Sequence, residues 1–335
     1  GESVIIISFG TRPEYIKIKP LMKAFDGHIP YKLLFTGQHV DLLSGIDKEI
    51  VTVQIRDGVN RLDSIVSSLM NLDVFDNVDA VLVQGDTTSA LAVGLAAFHR
   101  KLKVVHLEAG LRTYNNDHPY PEEFNRRALS CMADINLCPT SLSAENLESE
   151  KAPGKIHVVG NTVLDNLLYL RNRKHVMANR VVITMHRREN HELIESWFSM
   201  FDKLAKDNPD LEFVIPIHPN PNVKKYRESL KYVKAIDPLG HKEFIDMLAS
   251  CLMVITDSGG LQEESSFLGK KCIVCREETE RPEGIGTFSF LCPPDLKQLE
   301  ELFYMIKNSP LPPVTCPYGD GHSGERIRNI LLKEL

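Results

Sequence analysis

The sequence predicts two doubly wound α/β domains in tandem, each a parallel sheet covered by helices on both faces. Three observations predict it. At 335 residues the chain is too long for one ordinary core. Its strand-like stretches are near-continuous Val/Ile/Leu runs rather than alternating ones, as in strands buried on both faces. Strand and helix patterns alternate, and the whole pattern then repeats.

Residues 4–9 (VIIISF) read as a buried strand that Gly10 breaks. Pro13 then opens a helix in its first turn, where the missing N–H has no cost. Further strand-like runs lie at 31–35, 51–55, 80–84, 103–107, 135–138 and 156–159, with helical patterns at 61–71, 88–100, 122–132 and 142–150. The polar, basic stretch RNRKHVMANR (171–180) reads as the linker. Beyond it, strands are expected at 181–185, 212–217, 233–236, 252–256, 271–275 and 288–291, and helices at 193–207, 241–250, 260–268 and 295–307. The closing HSGERIRNILLKEL follows the turn-rich PYGDG as an amphipathic helix able to dock on either domain. The expected domains are 1–170, joined by a C-terminal helix 320–335, and 171–319. Two such domains predict a ligand cleft between them, beyond the C-terminal strand ends.

Composition narrows the function classes. With 43% hydrophobic and 25% charged residues the chain has the balance of a soluble globular protein. No apolar run approaches the roughly 18 residues that span a bilayer. A strand begins almost at once, so no signal peptide is expected and the cytoplasm is the expected compartment. A net charge of −6 argues against a nucleic-acid partner. Seven cysteines, an odd number, read as free thiols in a reducing compartment. Cys272-Ile-Val-Cys275 has metal or redox spacing, but in a strand such positions face opposite sides, and no metal is assigned.

The chemistry-bearing motifs follow strand ends. ITDSGGLQEES (255–265) is a strand, a Gly-Gly turn and a helix, so Ser258, Gly259 and Gly260 offer backbone N–H groups to a phosphate. The same residues also suit a plain tight turn capped by Asp257 or Ser258. Glu263 or Glu264, one turn into the helix, can accept ribose hydroxyls. FGTRPEYIK (9–17) lacks G-x-G-x-x-G, so no nicotinamide site is expected, while Arg12 and Lys17 can reach phosphate. His186 in TMHRREN and His218 in IPIHPNP sit at strand ends, where a histidine serves structure or acid–base chemistry. QGDTTS, HLEAGLRT and PYPEEFNRR bring Asp86, Glu108 and Glu122 to one rim, with Arg112 and Arg126 beside them. Each has an ordinary reading: Asp86 as a helix cap, Glu122 as a dipole-favoured first-turn acid, Glu122 and Arg126 as a weak i,i+4 pair. Jointly they suit proton transfer on a sugar nucleotide, whose diphosphate leaving group needs N–H, Arg or Lys donors. Without a nicotinamide, epimerisation through a ketone is closed, and elimination followed by re-addition is open.

The chain resembles the non-hydrolysing UDP-N-acetylglucosamine 2-epimerases. The resemblance rests on FGTRPEYIK, TGQH, QGDTTS, HLEAGLRT, PEEFNRR, GNTVLDN, TMHRREN, IHPNP, TDSGGLQEE, ETERPE and PYGDG, in order along nearly the whole chain. It implies a GT-B fold and interconversion of UDP-GlcNAc and UDP-ManNAc through 2-acetamidoglucal and UDP, feeding surface polysaccharide synthesis, with no cofactor. It implies Lys17, Asp86, Glu108, Glu122, Arg126 and His186 as catalytic positions, without assigning which acid serves which step. Arg12, Ser258, Gly259 and Gly260 would hold the diphosphate, Glu264 the ribose, and the backbone near Phe244 the uracil. His218 would also contact substrate, and Arg281 would line the sugar side. A homodimer is implied. Two departures stand out. Val40-Asp41 replaces the Arg-Glu that usually follows TGQH beside a second, activating UDP-GlcNAc, which argues against that activation. Gly284 stands where the family usually has Ala. The alternatives are an epimerase for another UDP-2-acetamido sugar, a hydrolysing 2-epimerase, a GT-B glycosyltransferase and a catalytically silent UDP-sugar sensor.

Overall fold

A computed structural model describes residues 3–55, 58, 60–69, 72–171, 178–309 and 315–335. The chain divides into two compact units: Gly1–Leu167 with Tyr318–Leu335, and Leu168–Pro317. Most of the expected linker, residues 172–177, lies outside the described residues.

Unit 1 runs β1 (Ile5–Phe9), α1 (Arg12–Phe25), β2 (Tyr31–Phe35), β3 (Ile50–Thr52), α2 (Arg61–Leu69), β4 (Ala80–Gln84), α3 (Thr88–His99), β5 (Lys103–Leu107), α4 (Glu122–Met132), β6 (Ile135–Cys138), α5 (Ser141–Ser149) and β7 (Lys155–Val158). The seven strands form a parallel sheet in the order β3-β2-β1-β4-β5-β6-β7. The continuous apolar runs are explained by what covers each face. Ile5, Ile7 and Phe9 point to one side and pack with Ile18, Leu21 and Phe25 of α1. Ile6 points to the other, where Ile65 and Leu69 of α2 and Leu91 and Val93 of α3 close the core. β3 pairs over 50–52 rather than the expected 51–55, because its partner β2 ends at Phe35, opposite Thr52. The Val53 N–H reaches one residue further, to the Phe35 carbonyl.

Unit 2 runs α6 (Leu168–Arg171), β8 (Arg180–Thr184), α7 (Ile194–Asp207), β9 (Glu212–Pro216), α8 (Pro221–Lys224), β10 (Lys234–Ile236), α9 (His241–Ser250), β11 (Met253–Thr256), α10 (Gly259–Phe267), β12 (Cys272–Val274), β13 (Ser289–Leu291) and α11 (Leu296–Lys307). Its six parallel strands are ordered β10-β9-β8-β11-β12-β13. Trp197, Phe198 and Phe201 of α7 pack with Phe213 and Phe303 in its core. Cys272 and Cys275 are buried, and burial pushes both thiols up. Cys275 faces the Trp197 core, while Cys272 faces Ser289.

The last helix, α12 (Ser323–Glu334), docks on unit 1, where Ile327 and Leu331 join the core under α1. Asp165 seats it: its carboxylate accepts the backbone N–H groups of Ser323 (3.0 Å) and Gly324 (2.8 Å) at the helix start. The neighbouring residues repair α1. Pro20 sits inside that helix and has no N–H for the Ile16 carbonyl four residues back. The Asn166 side-chain amide donates to that carbonyl at 2.8 Å, and the Thr162 hydroxyl donates to the Lys17 carbonyl at 2.6 Å. In each sheet the strand order reverses, at β1/β4 and at β8/β11, and the turns after those strands carry the motifs.

Candidate active site

On unit 1 the rim is built from the turns after β1, β4 and β5 and the start of α4. Asp86 follows Gly85, whose φ of 74° suits glycine. Asp86 does not cap α3; Thr87 does, its hydroxyl accepting from the Ala90 N–H at 3.0 Å. The Asp86 carboxylate is therefore free for other work. Its side chain is 31% exposed yet closely surrounded by protein. Desolvation pushes its carboxyl up to about 6; the Glu108 and Glu122 charges push the same way, while Arg126 and Lys17 oppose them.

Glu108 sits in the left-handed region, φ 62°, immediately after β5. A non-glycine residue there holds strain that the surroundings must offset. Its side chain is held by the Lys17 ammonium, 2.8 Å from Oε2, and by the Asn161 amide, donating at 3.1 Å. Lys17 is thus neither a solvated helix residue nor a lone phosphate ligand. Two residues before Glu108, His106 is fully buried and its Nε2 lies 2.7 Å from the Gly85 carbonyl, so that nitrogen carries the proton. Burial pushes this imidazole down to about 4, keeping it neutral.

Arg126 departs from expectation. It pairs not with Glu122 but with fully buried Glu123, through Nε at 2.7 Å and Nη2 at 2.6 Å, and reaches Asp86 through Nη1 at 3.2 Å. Glu122 is partly exposed at the first turn of α4. Arg112 is also committed elsewhere, forked onto Glu150 at 2.9 and 3.1 Å. Arg12 stands exposed at the start of α1. Behind it Glu14 is buried, bonded to the Gly10 N–H and to the Thr11 and Thr87 hydroxyls. Burial pushes its carboxyl up to about 7, with the Asp86 charge adding to the effect. Glu14 links the turns on both sides of the β1/β4 switch point. The Thr11-x-x-Glu14 spacing, half of a capping box, was the sequence signal for it.

On unit 2, Asp257 organises the rim. Wholly buried, it accepts the backbone N–H of His186 (3.1 Å) and of Arg187 (2.8 Å) and the Asn190 amide (3.1 Å). The His186 ring stacks on His218 at 5.4 Å, and burial, then the neighbouring His186, pulls the His218 imidazole down. Ser258 precedes α10 without capping it, its own N–H given to Thr256. The two glycines differ. A Cβ on Gly259 would collide with Arg281 Nη1 at 2.5 Å and Glu280 Oε1 at 2.6 Å, whereas one on Gly260 would lie in ordinary contact with Ser258 Oγ at 3.9 Å. Arg281 is gripped by Glu263 and Glu280 under the turn. Burial alone would raise the Glu280 carboxyl, but Arg281 and Arg276 outweigh it and hold it well below the usual range. Of the two candidate ribose acceptors, Glu263 is thereby consumed, and Glu264 remains partly exposed. Phe244 is partly exposed on α9, its N–H given to the Gly240 carbonyl. Gln262, unmarked in the sequence, ties the 279–281 loop to α10 through Thr279 at 2.6 Å.

The profile of the UDP-N-acetylglucosamine 2-epimerase family matches residues 24–332. The chain belongs to the UDP-N-acetylglucosamine 2-epimerase family. Its members are isomerases, and a Campylobacter jejuni UDP-N-acetylglucosamine 2-epimerase is 36% identical, over 98% of this chain and 97% of its own. The crystal structure of the Neisseria meningitidis enzyme bound to UDP-GlcNAc superposes with a TM-score of 0.86 at 35% identity, covering 98% of this chain and 100% of that one. The Methanocaldococcus jannaschii family member in complex with UDP-GlcNAc and UDP gives 0.85 at 28% identity, covering 98% and 99%. The GT-B-like doubly wound architecture is therefore shared across the family. No described helix is long and apolar enough to cross a membrane.

Proposed function

We propose that the chain is a non-hydrolysing UDP-GlcNAc 2-epimerase that interconverts UDP-GlcNAc and UDP-ManNAc without a cofactor. The observation that carries the reading is the acid rim of unit 1: Asp86, its proton affinity raised by burial, beside an ion-paired Glu108, in a chain whose relatives are crystallised with UDP-GlcNAc. In the forward step the C1–O bond breaks and its electron pair leaves with the UDP phosphate. A carboxylate takes the proton from C2, giving 2-acetamidoglucal. In the return step a second acid delivers a proton to the opposite face of C2, and the phosphate oxygen closes on C1. Asp86 and Glu122 are the two proton carriers. Glu108, ion-paired with Lys17, opposes the positive charge that develops at C1.

Arg126 orients Asp86, and Arg12 meets a phosphate oxygen. On unit 2, Ser258, Gly259 and Gly260 receive the diphosphate, His186 and His218 lie beside it, and Arg281 shapes the turn under it. Glu264 takes the ribose and the backbone near Phe244 the uracil. The protein acts as a cytoplasmic homodimer supplying surface polysaccharide synthesis. Incubation with UDP-GlcNAc in D₂O, followed by NMR, tests the reading. Deuterium should enter C2 in both UDP-sugars, and Asp86→Asn should lose turnover by orders of magnitude while keeping UDP binding. Free ManNAc as the dominant product would overturn it.

A further inference from the structure

Glu123 has no place in the reaction just described, yet it is the most completely enclosed carboxylate at the unit 1 rim. It lies beside Glu122 in sequence but points inward at the start of α4. Its two oxygens accept the backbone N–H groups of Thr113 (3.1 Å) and Tyr114 (2.7 Å), and Oε1 accepts from Arg126 Nε, with Nη2 in ion-pair contact with the same oxygen. Arg126, itself buried, therefore faces two carboxylates at once. It gives Glu123 two short contacts, at 2.6 and 2.7 Å, and Asp86 a single longer one of 3.2 Å.

We propose that Glu123 is a positioning residue for the reaction: it shares Arg126 with Asp86 and holds the guanidinium back from a full ion pair, so that Asp86 stays a proton carrier. The inference rests on the reading of Asp86 given above. The physical reason is the sign of the field. An undivided guanidinium at hydrogen-bond distance holds a carboxylate ionised and its proton affinity low. Such an Asp86 would accept a proton poorly near neutrality and return it too readily. Dividing the cation between two anions weakens its hold on the more distant one. Among the described residues the other charged groups acting on Asp86 include Lys17 on α1, which attracts, and Glu14 on α1, Glu108 after β5 and Glu122 on α4, which repel. Lys17 lies 2.8 Å from Glu108, so that cation too is shared. Glu123 completes a pattern in which neither nearby cation is left to Asp86 alone.

A plain structural clamp is the competing role, since Glu123 also fixes the 113–114 loop. Glu123→Gln separates the two, because the amide oxygen keeps an acceptor for the loop while the charge is lost. The test follows the Asp86 carboxyl ¹³C signal, identified by its loss in Asp86→Asn, against pH. In Glu123→Gln the Asp86 midpoint should fall by about one pH unit or more, and the acidic limb of kcat/KM should move down with it. A clamp alone would change stability and leave the midpoint in place, and an unchanged or raised midpoint overturns the proposal. Should Glu123→Gln fail to fold, the double variant Glu123→Gln/Arg126→Gln, which buries no unpaired charge, serves instead. Its Asp86 midpoint should rise above that of the wild type, and no change would mean that Arg126 does not act on Asp86. Full turnover by Asp86→Asn would instead refute the role of Asp86 itself, whatever Glu123 does.

Discussion

Asp86 carries a negative charge where charge is costly, and this gives it a second measurable signature besides turnover. Its carboxyl rises from an ordinary 3.8 to about 6, so the folded chain binds that proton more tightly than an unfolded chain does. Ionising it therefore destabilises the fold as pH climbs from about 4 through about 6, and the loss persists above. Asp86→Asn should consequently unfold at a higher temperature than wild type at pH 8, with the gap closing toward pH 4. Thermal denaturation across pH measures it, and a wild type that is more stable at pH 8 would contradict the account. The adjacent acids Glu122 and Glu123 show where reading a sequence stops. Both satisfy the first-turn preference for acids, and their letters are identical. Which one is buried depends on how α4 is rotated against α3 and β5, a fact of packing. The Lys17–Glu108 pair was illegible for a related reason, since its members stand 91 residues apart.

At the scale of elements, α1 depends on a segment far along the chain. Asn166 supplies the donor that Pro20 removes from the Ile16 carbonyl, so the two residues should be energetically coupled. Asn166→Ala should cost on the order of 1 kcal/mol, the worth of an ordinary hydrogen bond. In a Pro20→Ala background the helix regains its own N–H, and the same change should cost measurably less. A double-mutant cycle by denaturant unfolding reads the coupling, and additive effects would reject it. The strands themselves were legible because β-branched runs with Gly and Pro at their ends leave few alternatives, and both covered faces require apolar side chains. The role of GNTVLDN was not, because its side chains bond to backbone atoms of a helix some 145 to 150 residues earlier.

At the scale of the molecule, unit 1 is discontinuous: the chain leaves it after Leu167 and returns at Tyr318. Its core under α1 is incomplete without Ile327 and Leu331. A polypeptide of residues 1–167 should bind an apolar dye and aggregate, whereas residues 168–317 should give a cooperative unfolding transition. Near-ultraviolet circular dichroism and dye fluorescence on the two pieces would decide, and a cooperative, dye-silent 1–167 piece would refute the expectation. The two sheets were legible as a repeat of the same alternation. The destination of α12 was not, since an amphipathic stripe states that a helix must dock but not where.

That return of the chain has a consequence for biosynthesis. On the ribosome, the segment that finishes the first unit emerges only after the whole of the second has been made. At about 5–20 residues per second the interval is roughly 10–30 s. Throughout it the nascent protein carries a finished later half and an unfinished earlier one, with the apolar surface around Ile18 and Leu331's vacant seat open to water. The usual order of domain completion is inverted, and the first half is where a co-translational chaperone would find its purchase.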